Sequence, residues 1–367
     1  MRADSVPNLA AIARQAGVSR MTVSRALRNM RGVDPKTRSL VLSAAEKVGY
    51  RPNPLVSAFM VFVRTNRVAS DCGVLAYITT SSVRGGWRSF EPYARFFYGA
   101  TARAESHGYR LEEFWLRERG MTMHRLSDIL FARGIRGLVI GPMEFSNSHL
   151  NLDWSQFSSS AICFSMLKPE LPRATNDQYN SMLLALRELR RRGYKRIGLV
   201  MTYGDNARVR YLWSAAFLFH HWRYHRDEAP HMYMPAVWSD EAALKWIRRN
   251  RLEVIVTTQT HYYGYLRQRG VDIPGELGIV NLDWTKLHAP MSGIDQETEQ
   301  VGSAAVDLTV NQLNNNEAGV PRHPKTVLLA GSWVPGSTVR HGGEPALTGS
   351  RRMRKPRVKV LEIPAIG

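Results

Sequence analysis

Apolar residues near the start of the chain recur at helical spacing. Between Leu9 and Ala16 they stand three and four positions apart, which places them on one face of a helix. Asn8 can cap the start of this helix, and Gly17 can supply the left-handed residue that ends it. After a tight turn, Ser19 can cap a second helix.

The second and third helices complete a small unit. The inward face of the second helix consists of Val23, Ala26 and Leu27. The third helix has Asp34 as its cap and Pro35 at its first position, and it ends before Gly49. Two short helices joined by a tight turn and supported by a third predict a helix-turn-helix domain at residues 1–49.

The outward face of the second helix carries residue types that bind DNA. Arg20 and Arg25 can fork onto guanine edges, and Met21 can lie against a thymine methyl group. Hydroxyl-bearing and basic neighbours can bind phosphates. The candidate DNA-binding residues of this unit are Ser19, Arg20, Met21, Thr22, Ser24, Arg25, Arg28, Thr37 and Arg38. These residues alone leave a second interpretation open, a helical packing module with a solvated basic face.

A motif after the third helix favours the DNA-binding interpretation. Residues 49–54 read Gly-Tyr-Arg-Pro-Asn-Pro, and a short apolar segment follows. Together with the helices before it, this motif resembles the LacI family of bacterial transcription regulators. The matching segments are residues 12–19, 22–27, 37–38 and 49–53. The resemblance implies sequence-specific binding to double-stranded DNA.

The same resemblance makes residues 50–70 a hinge helix and linker. In that family the segment becomes helical on DNA, pairs with the hinge of its dimer mate and inserts an apolar side chain, usually leucine, into the minor groove. Phe59 stands at that position here, and phenylalanine is an accepted wedge between base steps. Asn53 joins the DNA-binding residues that the resemblance implies.

Charge and composition agree with a polyanionic partner. The chain has 367 residues and a formal net charge of +19. Residues 1–67 hold twelve Lys or Arg against three Asp or Glu, so nearly half of the excess positive charge lies in less than a fifth of the chain.

The two cysteines, Cys72 and Cys163, indicate neither a disulfide framework nor a zinc site. Without an apolar signal segment or a membrane-length stretch, we expect a cytoplasmic protein with no membrane partner.

From residue 73 onward, strand-like and helix-like segments alternate. Strands are predicted at residues 74–78, 109–115, 138–140, 161–164, 196–201, 254–257 and 277–280. Helices are predicted at residues 93–106, 123–133, 181–192, 207–220, 241–250, 262–268 and 301–314. This alternation predicts an α/β architecture of parallel sheets with helices on both faces. Residues 71–345 exceed one comfortable core, so two subdomains with a cleft between them are expected, followed by a flexible basic tail at residues 346–367.

Scattered motifs in this second region also resemble the LacI family. The matching segments are residues 176–177, 191–200, 273–279, 293–296 and 338–340, with Asp283. The family's effector domain has the two-subdomain fold of type I periplasmic sugar-binding proteins. The resemblance therefore implies a homodimer with a small-molecule effector, a carbohydrate by preference, in the cleft, and no cofactor.

Several residues are candidates for contact with this effector. The candidates are Phe90, Asp177, Arg208 or Arg210, Gln259, Asp283 and Gln296. Phe90 lies with Trp87 and Tyr93 in a ring cluster after the first strand, where a cleft can stack a sugar ring. An alignment on residues 216–217 places Trp213, not an arginine, at the family's arginine position. Structural roles stay open for all of them: a helix cap, a loop contact, a surface charge or a core ring.

Gln259 marks a departure from the family. Gln259-Thr260 stands where the family has an asparagine–aspartate pair, which leaves the ligand's identity open.

The predicted function is a dimeric, sequence-specific transcription regulator, most often a repressor in this family, that binds a near-palindromic operator and responds to a ligand in the cleft. The first alternative is a ligand-independent regulator of the same family.

A sugar-binding protein or a sugar-processing enzyme without DNA function is a weaker alternative. Such an enzyme would need a carboxylate pair in the cleft, for which Asp177 and Asp283 are the candidates. The sequence has no phosphate-binding loop and no nucleophile motif, so no enzyme is predicted. His221 and His225 stand four residues apart but lack a clear carboxylate partner, and no metal site is predicted.

Overall fold

The computed structural model describes residues 9–27, 32–48, 73–144, 148–225 and 228–341. Several predictions fall outside these described residues. They concern Asn8, Arg28, the hinge and linker at residues 50–70 with Asn53 and Phe59, and the tail at residues 346–367.

Three helices form the amino-terminal unit. They are α1 Leu9–Ala16, α2 Arg20–Leu27 and α3 Pro35–Lys47. Gly17 has a φ of 64°, the left-handed conformation that ends α1. The Thr22 N–H donates to Ser19 Oγ at 3.0 Å, which confirms the predicted cap of α2.

The third helix starts as its sequence predicts. Asp34 Oδ2 accepts a hydrogen bond from the Thr37 N–H at 3.1 Å, and proline occupies the first turn. The core of the unit contains one fully buried side chain from each helix: Ile12, Val23 and Val41. Burial of each contributes about 1.5–3 kcal/mol. Small alanines around them let the three helices approach closely.

Residues 73–341 form the α/β domain. Its strands are β1 Gly73–Thr79, β2 Tyr109–Trp115, β3 Gly137–Ile140, β4 Ser148–His149, β5 Ser158–Ile162, β6 Met166–Lys168, β7 Arg173–Asn176, β8 Ile197–Val200, β9 Met232–Tyr233, β10 Val254–Thr257, β11 Gly278–Trp284, β12 Ser292–Asp295, β13 Thr326–Leu329 and β14 Ser332–Val334. Its helices are α4 Glu91–Ser106, α5 Met123–Ala132, α6 Gln178–Arg191, α7 Tyr203–Arg208, α8 Leu212–Tyr224, α9 Asp240–Arg249, α10 Tyr262–Gln268 and α11 Thr298–Asn315.

Two six-stranded sheets divide the domain into two subdomains. The first sheet has the order β13-β7-β5-β3-β1-β2 and is parallel throughout. The second has the order β14-β12-β11-β10-β8-β9, and only β14 runs antiparallel. Apolar side chains fill both faces of each sheet, as expected for parallel strands covered by helices. The predicted fold class, a two-subdomain α/β architecture, is confirmed.

The chain passes between the subdomains three times, after β7, after β12 and after β13. Hydrogen bonds join the crossing segments to one another. The Asn176 side chain donates to the Gln296 carbonyl, the Asp177 N–H donates to the Leu329 carbonyl, and a third bond joins Ser332 to Glu297. A rotation of one subdomain against the other is therefore expected to occur about this point.

The predicted single helix at residues 207–220 is wrong. Arg210 and Tyr211 have positive φ values of 54° and 61°, and they separate α7 from α8. Asn206 stabilises this break, because its carbonyl accepts from the Tyr211 N–H at 2.8 Å and its amide donates to Ser214 Oγ at 2.9 Å. These contacts close a turn that helical periodicity does not reveal.

The sequence predictions also failed for two strands of the first sheet, because polar residues interrupt their apolar pattern. One strand was predicted to begin too late, and the other was not predicted. β5 begins at Ser158 rather than residue 161, and its buried serines bond to backbone: Ser160 Oγ donates to the Ala305 carbonyl at 2.7 Å. β7 was not predicted, since it begins with Arg173, whose buried guanidinium donates to the Cys163 carbonyl at 2.9 Å.

No helix in the described part of the chain is both long enough and apolar enough to span a bilayer.

Candidate functional site

The outward face of α2 presents the predicted base-reading residues together. Arg20, Met21 and Arg25 are exposed, and Met21 leaves 70% of its surface to solvent despite being apolar. Val23 and Ala26, buried on the opposite side, fix which face of the helix points outward. An accessible methionine between two arginines has the donors and the apolar surface that a major groove can accept.

The predicted phosphate contacts lie beside this face. The hydroxyls of Ser19 and Thr22 are hydrogen-bonded to each other at 2.9 Å at the start of α2. Ser24 is half-buried on α2, and Thr37 and Arg38 are half-buried in the first turns of α3. Helix starts and hydroxyl groups are common partners of the DNA backbone. The contacts of these residues with phosphates stay predictions.

A cavity of about 450 Å³ lies between the two subdomains. Its lining residues follow the carboxyl ends of β1, β3, β5 and β7 in the first sheet and of β8, β10, β11 and β12 in the second. In open parallel sheets this end carries the ligand crevice. The cavity has the size of a small-molecule site.

Most of the predicted effector residues line this cavity. Those that do are Phe90, Arg208, Gln259, Asp283 and Gln296. Asp177 lies outside the lining, where its Oδ1 accepts from the Asn180 N–H at 3.0 Å and caps α6. Arg210 also lies outside, with its guanidinium 4.8 Å from the ring centre of Phe164. Of the two arginines, the structure therefore brings Arg208 to the cleft, and Asp177 has the role of a cap.

Arg208 joins the two subdomains directly. It ends α7 in the second subdomain, while its hydrogen-bond acceptors belong to the first. Its Nη1 donates to the Glu144 carbonyl at 2.9 Å, and its Nη2 donates to the Met143 carbonyl at 3.0 Å and to the Tyr93 hydroxyl. The guanidinium thus links the two subdomains across the cleft.

The two glutamines of the cleft are held by neighbouring protein groups. Gln259 Nε2 donates to Asp205 Oδ2 at 2.7 Å, and the Thr258 hydroxyl donates to the same oxygen at 3.0 Å. Gln296 is buried, with its amide N–H on the Leu282 carbonyl and its Oε1 3.3 Å from Ser181 Oγ. Gln296 therefore fixes the crossing segment, whereas Gln259 orients a carboxylate at the cavity.

Asp283 is a carboxylate in an unfavourable environment. Its pKa is raised to about 6, chiefly by burial; Arg95 opposes this shift, and the carboxylates of Asp295, Asp205 and Glu91 add to it. Among the described residues, none donates a hydrogen bond to its side-chain oxygens, although its backbone N–H donates to Asn281 at 2.7 Å. A ligand that donates to this carboxylate would relieve the cost of burying it.

Asp283→Asn is expected to raise the free energy of unfolding of the ligand-free protein by about 2–3 kcal/mol at pH 7. Because the folded-state pKa lies above the unfolded value, the folded chain retains a proton between about pH 4 and pH 6 that the unfolded chain releases. The unmodified protein therefore loses stability as pH rises through this window, and the variant should not. Urea titrations across the window measure the difference; identical pH dependence in both proteins contradicts the assignment.

The predicted effector contacts omitted several lining residues, among them Asp205, Trp213 and Thr298. Asp205 lies in the first turn of α7, directly after β8, and its place after a strand end was the available signal. Trp213, which the family alignment put at an arginine position, lines the cavity with 6% of its surface exposed. Thr298 lies in the first turn of α11 beside the crossing segment, and no pattern in the sequence marked it.

The histidine pair on α8 makes local contacts. The rings of His221 and His225 stack with centres 5.7 Å apart, and His221 Nε2 lies 2.5 Å from the Glu228 carbonyl. Within the described ranges, no three His, Cys, Asp or Glu side chains are grouped so that they could hold a metal ion.

Comparison with known proteins finds two family matches along the chain. Residues 8–53 match the family described as bacterial regulatory proteins, lacI family. Residues 186–339 match the periplasmic binding protein-like domain. The first match covers the three-helix unit and the start of the predicted hinge. The second covers most of the second subdomain and the two crossing segments that follow β12 and β13.

A similar curated protein spans nearly the whole chain. The HTH-type transcriptional regulator reg1 of Streptomyces lividans is 24% identical over 358 residues, which cover 92% of this chain and 98% of that protein. Most of each chain therefore aligns with the other.

Two solved structures share the fold. A transcriptional regulator CelR–cellobiose complex has a TM-score of 0.54 and 18% identity, covering 91% of this chain and 100% of that one. A lac repressor dimer bound to operator and the anti-inducer ONPF has a TM-score of 0.54 and 17% identity, covering 91% and 99%. With an exposed helix-turn-helix face, a two-subdomain cleft and both matches in this order, the chain carries a DNA-binding domain of the lacI family of bacterial regulatory proteins ahead of a periplasmic binding protein-like domain, and it is a DNA-binding transcription regulator.

Proposed function

We propose that this regulator is a repressor that binds a near-palindromic operator as a homodimer. The observation that supports base reading most directly is the exposed face of α2, where Arg20, Met21 and Arg25 lie together. One such face reads only half a site, and two copies related by a twofold axis read a palindrome. The operator-bound relative is itself a dimer, which supports the same arrangement for this chain. Its place of action would be the cytoplasm, where its operator lies.

We further propose that a small polyhydroxylated ligand in the cleft changes the affinity for the operator. The support is the cavity itself, which combines aromatic rings, carboxylates and amides at the strand ends of both sheets. A transcriptional regulator with the same fold has been solved as a cellobiose complex, which supports a sugar as the ligand here. To regulate, the ligand must bind one relative orientation of the subdomains better than the other.

Selection of binding sites from random duplexes tests the first proposal. Purified full-length protein should enrich a sequence with two inverted half-sites, and its complex with that sequence should contain two copies of the chain. Enrichment of a single asymmetric half-site by one copy would contradict the dimeric repressor.

A ligand-independent regulator is the second candidate, and one observation favours it. Arg208 of the second subdomain donates hydrogen bonds to Tyr93, Met143 and Glu144 of the first, so a protein side chain can by itself fix the relative orientation of the subdomains. Under this alternative, Arg208→Ala should change operator affinity about 5-fold or more, and no sugar should alter operator binding by the unmodified protein. A sugar that shifts operator affinity only in the unmodified protein would favour the ligand-responsive repressor.

A further inference from the structure

The cavity lining is acidic, although the chain as a whole carries a formal charge of +19. Three carboxylates line it, those of Glu91, Asp205 and Asp283, against one guanidinium, that of Arg208. Burial lowers the pKa of the lining His288, which disfavours a positive charge on this side chain. The net charge of the cavity lining is therefore negative, whereas the net charge of the whole chain is positive.

The guanidinium groups at and near the cavity are hydrogen-bonded to groups other than the cavity carboxylates. Arg208 donates to two backbone carbonyls and to a tyrosine hydroxyl of the first subdomain. Arg95 lies outside the lining and forms a forked ion pair with Asp295 at 3.1 and 3.3 Å and a further contact with Glu299 at 3.3 Å. Neither arginine donates a hydrogen bond to a carboxylate of the cavity.

The three lining carboxylates retain capacity for a donor. Glu91 Oε2 is buried and has no hydrogen-bond partner among the described residues. Within the part of the chain that the structure describes, Asp205 Oδ2 accepts only from the neutral side chains of Thr258 and Gln259. No described residue donates to the carboxylate of Asp283. Partly buried carboxylates without a cationic partner are costly, and a bound cation offsets that cost.

Buried polar groups at the same cavity also lack partners. The Trp213 side chain is 6% exposed, and its indole N–H has no acceptor among the described residues. Thr298 is 3% exposed, and its hydroxyl is likewise without a partner there. The Phe90 and Tyr93 rings stand edge to face with centres 4.8 Å apart. The lining thus offers hydrogen bonds to hydroxyl groups and aromatic surface to a ring or a cation.

We propose that the cleft ligand is an amino sugar, whose ammonium group lies among Glu91, Asp205 and Asp283 while its hydroxyls bond to Trp213 and Thr298. This inference rests on the proposed ligand-responsive function. A neutral sugar satisfies hydrogen bonds but leaves the excess negative charge in place. An anionic ligand adds to that charge and is excluded.

Matched sugar pairs test the role of the charge. Thermal unfolding of the full-length protein is followed with glucosamine, galactosamine and mannosamine, each at about 10 mM, and with glucose, galactose, mannose and N-acetylglucosamine as uncharged counterparts. At least one amine is expected to raise Tm by about 1–4 °C, and its uncharged counterparts should not. No shift from any amine, or an equal shift from the parent sugar, overturns the proposal.

Three variants separate the cavity carboxylates from surface charge. Glu91→Gln and Asp283→Asn each remove one negative charge from the lining, and both should abolish the shift that the amine produces. Asp128→Asn removes one from an exposed position on α5 and should keep the shift. Loss of the shift in all three variants, or retention in both cavity variants, contradicts the assignment.

The outcome is separable from that of the proposed function. The same preparation is titrated with the selected operator in the absence of sugars. Specific operator binding without any amine response overturns the amino-sugar inference alone. Absence of specific operator binding overturns the proposed repressor function, whatever the sugars do.

Discussion

Arg20→Ala is expected to lower affinity for the selected operator about 5- to 150-fold while leaving affinity for scrambled duplex nearly unchanged. The range corresponds to the 1–3 kcal/mol that one forked arginine–guanine contact contributes to discrimination. Arg20 is exposed at the first position of α2, outside the buried core of the unit, so its removal should leave the fold intact. Binding titrations against both duplexes measure the effect.

Two further variants make this result specific. Arg20→Lys keeps the charge but loses the planar fork, so its affinity for the operator should stay low while its affinity for scrambled duplex stays unchanged. Arg38→Ala on α3 should instead weaken all duplexes alike, because we assign it to the DNA backbone. Equal losses on operator and scrambled duplex for Arg20→Ala would contradict the assignment of Arg20 to a base edge.

Gly99→Ala is expected to destabilise the α/β domain by about 1–3 kcal/mol or more. A methyl group on Gly99 of α4 would lie 1.9 Å from the Glu299 carbonyl oxygen of α11, and one on Gly302 of α11 would lie 2.0 Å from the Phe96 carbonyl oxygen. Both obstacles are backbone atoms, so the two helices would have to move apart. Urea unfolding of the full chain measures the loss.

Gly264→Ala provides the matched control. Gly264 lies within α10, and no atom comes within 4 Å of the position its added methyl group would occupy. This substitution should therefore stabilise the protein by about 0.5–1 kcal/mol, the usual preference of a helix for alanine over glycine. If Gly99→Ala behaved like Gly264→Ala, the close approach of α4 and α11 would be wrong.

The amino-terminal unit could be predicted almost completely because its signals are local. Helical spacing, the Ser19 and Asp34 caps and the left-handed Gly17 lie within a few residues of what they control, and each is present in the structure. The glycines at the crossing of α4 and α11 gave no such signal. Gly99 and Gly302 are two hundred residues apart in sequence, and only the folded chain brings them together.

The cleft was predicted only in part, because local signals mark some of its residues and contacts between distant parts of the chain place the others. Asp283 and Gln259 follow strands that the apolar pattern reveals, so their arrival at the strand ends could be expected. Asp177 was a candidate for the cavity and instead caps α6, since a residue between a strand and a helix can serve either purpose. The bridge made by Arg208 depends on a helix break and on carbonyls of the other subdomain, neither of which a sequence pattern reports.

The ratio between the affinity for the operator and the affinity for scrambled duplex tests most directly whether α2 contacts base edges. Purified full-length protein is titrated at about 0.15 M salt with its selected operator and with a scrambled duplex of the same composition. A reader of base edges is expected to prefer the operator by about a thousandfold or more. Equal affinity for the two duplexes would mean that Arg20, Met21 and Arg25 form only a basic surface.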